Sequence, residues 1–118
     1  MPEKPSILIV DDDPLHLQLY GMIVEKAGFR GLPMLVAYGG LKFPEADQVD
    51  AVLMDYRLGP YMTAVDASRQ IKERYPAAPV LLLSDLYDAP ADTAPFIHGF
   101  VRKGSPEKLI AALRALTP

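Results

Sequence analysis

The sequence predicts an α/β fold: an open, doubly wound parallel sheet with helices on both faces. Three observations predict it. Five short apolar runs recur along the 118 residues, and none alternates apolar with polar, which suits strands buried on both sides. Stretches of helical periodicity, marked by capping residues, separate several of these runs. The resulting order of strand, helix, strand calls for βαβ crossovers and two helical layers.

The elements follow in chain order. Ser6–Val10 is the first strand. Asp13-Pro14 reads as an N-cap followed by proline at the first helical position. Leu15, Leu19, Ile23 and Ala27 continue at a spacing of four as the expected apolar face, and Gly28 is the expected stop. Met34–Ala37 is the second strand and Ala51–Met54 the third. Ala64–Tyr75 places Ala64, Ala67, Ser68, Ile71 and Tyr75 on one face, and Pro76 ends it. Val80–Leu83 is the fourth strand and Gly99–Arg102 the fifth, weaker one. Ser105-Pro106 repeats the cap-plus-proline signal, and Leu109, Ile110, Leu113 and Leu116 give the last helix its stripe. Two intervals, Gly39–Val49 and Asp85–His98, stand where helices are expected but carry Pro44, Pro90 and Pro95. A proline inside a helix costs about 3 kcal/mol. The chain has 12 prolines in 118 residues, about twice the usual share of about 5%.

Composition narrows the function. Half the residues are apolar and 23% are charged, enough for one packed core, so residues 1–118 are expected to form one domain. The net charge of −3 argues against a nucleic-acid surface. The absence of cysteine excludes thiolate zinc sites and cysteine nucleophiles. No apolar run approaches the length of a membrane span.

Ligand sites in open α/β sheets lie beyond the carboxyl ends of the strands. There the sequence places Asp11, Asp12 and Asp13 after the first strand, Asp55 after the third, Ser84 and Asp85 after the fourth, and Lys103 after the fifth. Grouped carboxylates raise one another's pKa or recruit a cation. Hard oxygen donors with no cysteine or histidine expected nearby suit Mg²⁺. Carboxylates, a lysine, a hydroxyl and a divalent ion are the equipment of phosphoryl transfer. His16 and His98 read as surface residues, with nothing nearby in sequence to complete a metal set.

The segments Ile7–Pro14 (ILIVDDDP), Asp50–Gly59 (DAVLMDYRLG), Leu81–Ser84 (LLLS) and Gly99–Leu109 (GFVRKGSPEKL) together resemble the receiver domain of bacterial two-component response regulators, over essentially the whole chain. The resemblance implies a flavodoxin-like, five-stranded parallel sheet in the order 2-1-3-4-5, a known property of that family rather than one read from the spacing. The second and fourth helices are expected to be short or irregular. It implies that Asp55 accepts the phosphoryl group. Asp11, Asp12, Asp55 and the backbone carbonyl of Arg57 hold Mg²⁺, and Lys103 pairs with the phosphoryl group. Ser84 is the switch hydroxyl and Phe100 the aromatic that follows it. Asp13 matches no acid-pocket position and reads as a helix cap. The implied donor is a sensor histidine kinase or histidine phosphotransfer protein, in the cytoplasm. The implied activity is a phosphorylation-dependent switch that modifies itself, not an enzyme with a separate substrate.

The chain departs from the family pattern at four places. Gly104 follows Lys103 where many receivers have proline. Asp85 follows Ser84 where a small residue is usual, and its charge opposes an incoming phosphodonor. Gly59-Pro60 inverts the usual order. The two proline-bearing intervals are each about a helical turn short. Because the fourth helix belongs to the usual dimer and output face, that homodimer is expected to be absent or differently built. The alternative function is a pseudo-receiver, an interaction module that is never phosphorylated. A stand-alone receiver and one cut from a longer regulator or hybrid kinase fit the sequence equally.

Overall fold

The computed structural model describes residues 3–118. Its strands are β1 (Ser6–Asp11), β2 (Arg30–Leu35), β3 (Ala51–Asp55), β4 (Val80–Ser84) and β5 (Gly99–Arg102). The α-helices are α1 (Pro14–Lys26), α2 (Ala64–Arg74) and α3 (Pro106–Leu116). All four strand pairings are parallel, in the order β2-β1-β3-β4-β5. The doubly wound, flavodoxin-like sheet expected from the sequence is therefore the observed one.

Strand alternation divides the core into two layers. Ile7, Ile9, Ala51, Leu53, Leu81 and Leu83 face one way, against Leu17 and Val24 of α1 and Leu109 and Leu113 of α3. Leu8, Val10, Val52, Met54, Val80 and Leu82 face the other, against Ala64, Ala67 and Ile71 of α2. Each large side chain so buried contributes about 1.5–3 kcal/mol.

Every helix begins on a cap of its own. The side chain of Asp13 accepts the Leu15 N–H at 2.9 Å, Thr63 accepts that of Asp66 at 3.1 Å, and Ser105 accepts that of Lys108 at 3.2 Å. Pro14 and Pro106 occupy first helical positions, where no N–H is needed.

The two intervals broken by proline both lie on the α2 side of the sheet. Residues 36–50 form no helix; Leu41 and Phe43 reach down onto the core instead. Arg74 Nη2 and the Tyr75 hydroxyl both donate to the Ala46 carbonyl, at 2.7 and 2.8 Å, and Phe43 meets Tyr75 edge to face. In the second interval only a single 3₁₀ turn, Ala91–Thr93, remains. The Tyr56 hydroxyl holds the Asp92 carboxylate at 3.2 Å, and Ile97 and Phe100 pack beneath. Side-chain anchors thus do the covering that helices would otherwise do.

Two expectations need correction. The second strand runs over Arg30–Leu35, not Met34–Ala37, and Pro33 lies inside it. β2 is an edge strand, with no strand partner on its other edge among the described residues. The Arg30 and Val36 amides turn toward β1, so by alternation Pro33 turns its missing N–H outward, where proline is tolerated. The neighbouring outward amide, Gly31, is satisfied by Glu25 at 2.8 Å. In α1 the buried residues are Leu17 and Val24, whereas Leu15 and Leu19 are exposed at 73% and 50%. The spacing of four begins on the outer face, at Leu15 and Leu19, and only Ile23 and Ala27 at its far end pack against the core. Pro2 lies outside the described residues.

His98 closes the α2 side near the start of β4. Its backbone N–H donates to the Val80 carbonyl at 2.8 Å, and its Nδ1 accepts the Val80 N–H at 3.0 Å. Partial burial, with Lys72 nearby, lowers its pKa below 6.5, so the neutral ring is the folded form. Its contribution is complete above the unfolded value and is lost as pH falls below it. His98→Leu should cost about 1–3 kcal/mol in urea unfolding at pH 8, for an orphaned amide. His98→Asn, whose Oδ1 can replace Nδ1, should cost less than half as much.

Candidate functional site

The sheet register builds the site. Ile7 to Val10 pair with Ala51 to Met54, so Asp11 and Asp55 stand side by side one step beyond the last pair, on the α1 and α3 side. Adjacent strands lie about 4.8 Å apart. Both carboxylates are buried, at 1% and 4% exposure. Two buried acids at this distance cannot both ionise freely. Burial, and then the charge of Asp55, push Asp11 from 3.8 up to about 7.

Asp55 is held on both oxygens. Oδ1 accepts the Arg57 N–H at 2.9 Å, and Oδ2 accepts Lys103 Nζ at 2.7 Å. Burial alone would lower the pKa of Lys103, but the hydrogen bond and charge of Asp55 outweigh it and the net shift is upward. Lys103 is itself tied into the sheet, because its backbone N–H donates to the Ser84 carbonyl at 2.8 Å. Asp11 is held on one oxygen only. Oδ1 accepts the Asp13 N–H at 3.1 Å, while Oδ2 is buried and has no hydrogen-bond partner.

Asp12 is half-buried beside the turn after β3. A Cβ on Gly59 would overlap its Oδ2, and Gly59 has a φ of +74°, so any other residue here would be strained and would displace Asp12. The inverted Gly59-Pro60 order thus makes room for a carboxylate. An orphaned buried carboxylate oxygen, two further carboxylates and a backbone turn kept open by glycine are a donor set that fits a hard divalent cation.

Ser84 and Phe100 are placed differently. Ser84 is buried at the end of β4, but alternation turns it toward the α2 side, and its Oγ accepts the Leu86 N–H at 3.1 Å. Phe100 lies half-buried on that same side, against the same core layer as Ile97. Asp11, Asp55 and Lys103 therefore form one contact group; Ser84 joins it through the backbone, and Phe100 is remote from the carboxylates' side. The Arg57 side chain is exposed, and the residue enters the site through its backbone. Asp13 caps α1 as the sequence indicates.

Two residues at the site, His16 and Tyr20, are not marked as such in the sequence. His16 reads as a surface residue, yet its Nδ1 lies 3.3 Å from Asp11 Oδ2. The available signal was positional: three residues after the cap, a side chain leans back over the helix start. Tyr20, one turn later, meets His16 edge to face and lines a cleft of about 240 Å³ with Leu83, Lys103 and Pro106.

The sequence profile of the response regulator receiver domain matches residues 7–114. The chain belongs to that family. It is 34% identical over 82 residues to the autoinducer 1 sensor kinase/phosphatase LuxN of Vibrio harveyi, covering 70% of this chain and 10% of that protein. It is 30% identical over 107 residues to the transcriptional regulatory protein GlrR of Escherichia coli, covering 87% of this chain and 24% of that protein. The chain thus spans a quarter or less of either relative's length. Among solved structures it resembles the chemotaxis response regulator CheY4 of Vibrio cholerae, with a TM-score of 0.78, 18% identity, and coverage of 96% of this chain and 98% of that one. At that identity the likeness is one of fold. Among the described residues no helix is long and apolar enough to cross a membrane.

Because Asp11 is pushed upward, its proton stabilises the fold. Metal-free protein should lose stability as pH rises from about 4 toward about 7 through this group, and level off above it. Asp11→Asn should remove that slope and melt higher than wild type at pH 8. Thermal unfolding in a chelator across that range measures it.

Proposed function

We propose that this receiver domain is a phosphorylation-dependent switch, with Asp55 taking the phosphoryl group from a sensor histidine kinase or a histidine phosphotransfer protein in the cytoplasm. The observation that carries the proposal is the 2.7 Å contact of Lys103 Nζ with Asp55 Oδ2, on a buried carboxylate set beside a second one. A merely structural ion pair has no need of the neighbouring Asp11.

Asp11, Asp12, Asp55 and the Arg57 carbonyl would hold Mg²⁺, which when bound offsets negative charge on the transferring group. A carboxylate oxygen of Asp55 attacks phosphorus as the bond to the donor's imidazole nitrogen breaks. The electron pair of that bond leaves with the imidazole, which then takes up a proton. The Arg57 N–H fixes the carboxylate's orientation, and Lys103 passes from it to a phosphoryl oxygen. Leu15, Leu19 and Met22, exposed on α1 near the site, offer the donor an apolar surface.

The product carries roughly −1.5 to −2 charge units. Ser84 then gives up the Leu86 N–H and turns its hydroxyl to the new oxygens, and Phe100 moves into the space behind it. This readout occurs on the side where a 3₁₀ turn stands in place of a helix, so the usual fourth-helix homodimer does not form. Asp85, exposed beside Ser84, slows the reaction by repelling the donor.

With acetyl phosphate and Mg²⁺, intact-mass measurement should show one phosphoryl adduct on wild type and none on Asp55→Asn. The beryllofluoride-treated protein should sediment as a monomer. A folded wild-type protein that takes up neither reagent is instead a pseudo-receiver, and a tight dimer would refute the readout described.

A further inference from the structure

His16 has no part in the mechanism above, yet the fold directs it at the carboxylates. One donor atom from each of Asp11, His16 and Asp55 lies within 4.8 Å of the others. Nδ1 of His16 faces Asp11 Oδ2 at 3.3 Å, and neither atom has a hydrogen-bond partner although both are shielded from solvent. Asp11 itself is 1% exposed, so its orphaned oxygen is costly unless something else satisfies it. On the other edge of the ring, Asp13 Oδ2 faces Nε2 at 3.5 Å. A carboxylate there favours the tautomer with its proton on Nε2, leaving the Nδ1 lone pair turned toward Asp11. This is the outer-shell arrangement that orients metal-binding histidines.

We propose that Asp11, His16 and Asp55 form a mixed nitrogen and oxygen site for a borderline divalent transition ion of the Co²⁺, Ni²⁺ or Zn²⁺ class, with Asp13 as the positioning residue. It rests on the preceding reading only in placing a cation between Asp11 and Asp55. Imidazole adds little to the binding of Mg²⁺, which prefers oxygen, and much to that of Co²⁺, Ni²⁺ and Zn²⁺. The set gives three protein ligands from three elements, two of them fixed by the sheet and one by the first turn of α1. His16 is placed to raise selectivity for such ions while leaving the all-oxygen donors in place for Mg²⁺.

The test is calorimetric titration of the full chain with Ni²⁺ and, separately, Mg²⁺ at pH 7.5, for wild type and His16→Leu. Ni²⁺ affinity should fall about tenfold or more in the variant, with Mg²⁺ affinity changed less than about twofold. Proton NMR of the wild-type Co²⁺ complex should show one contact-shifted, exchangeable imidazole N–H, a readout that needs no variant. Equal Ni²⁺ affinities, or a Co²⁺ complex without that resonance, overturn the part given to His16 while leaving the Mg²⁺ site standing. A folded wild type that binds none of these ions overturns the cation site altogether.

Discussion

The structure depends on one electrostatic constraint: two aspartates buried side by side at the ends of neighbouring parallel strands. The pairing of β1 with β3 places Asp11 next to Asp55, and the hydrophobic layers around the strand ends keep water away. Left alone, such a pair destabilises the fold. Lys103, the Arg57 amide and the Asp13 amide offset part of the cost, and Asp11 meets the rest by holding its proton to about neutral pH. The turn at Gly59 and the lean of His16 belong to the same arrangement: the first leaves room for the Asp12 carboxylate, and the second sets Nδ1 against the Asp11 oxygen that has no hydrogen bond. The site is a store of unfavourable negative charge, which a cation would relieve.

Strand alternation separates the residues proposed for chemistry from those proposed for readout. Asp11, Asp55 and Lys103 lie on the side packed by α1 and α3, both regular helices with proper caps. Ser84 and Phe100 turn to the other side, where α2 is flanked by two irregular segments. The prolines at positions 44, 90 and 95 fall only on that second side. Loss of helix there leaves the carboxylates' supports untouched, because Tyr75, Arg74 and Tyr56 pin the irregular segments to the core through side chains. The layer that forms the candidate site and the layer proposed to report on it can therefore change independently in sequence.

Most of the site was legible because its residues follow strands, and strand ends are marked by uninterrupted apolar runs. The caps at Asp13 and Ser105 were legible for the same local reason. What escaped depends on facts the sequence does not display. β2 carries Gly31 and Pro33, which argue against a strand until it is known to lie at an edge. Leu15 and Leu19 keep helical spacing while facing outward, because apolar residues surround much of α1 and spacing alone does not say which row is buried. His16 was passed over because its partners are not all neighbours in sequence: Asp11 and Asp13 lie close, but Asp55 arrives only through the sheet.

The most direct measurement is a carbon-13 NMR titration of the Asp11 carboxyl in metal-free wild type and in Asp55→Asn. The midpoint should lie near 7 in wild type and drop when the neighbouring charge is removed. A wild-type midpoint near 3.8, or one that Asp55→Asn leaves unmoved, would contradict this expectation.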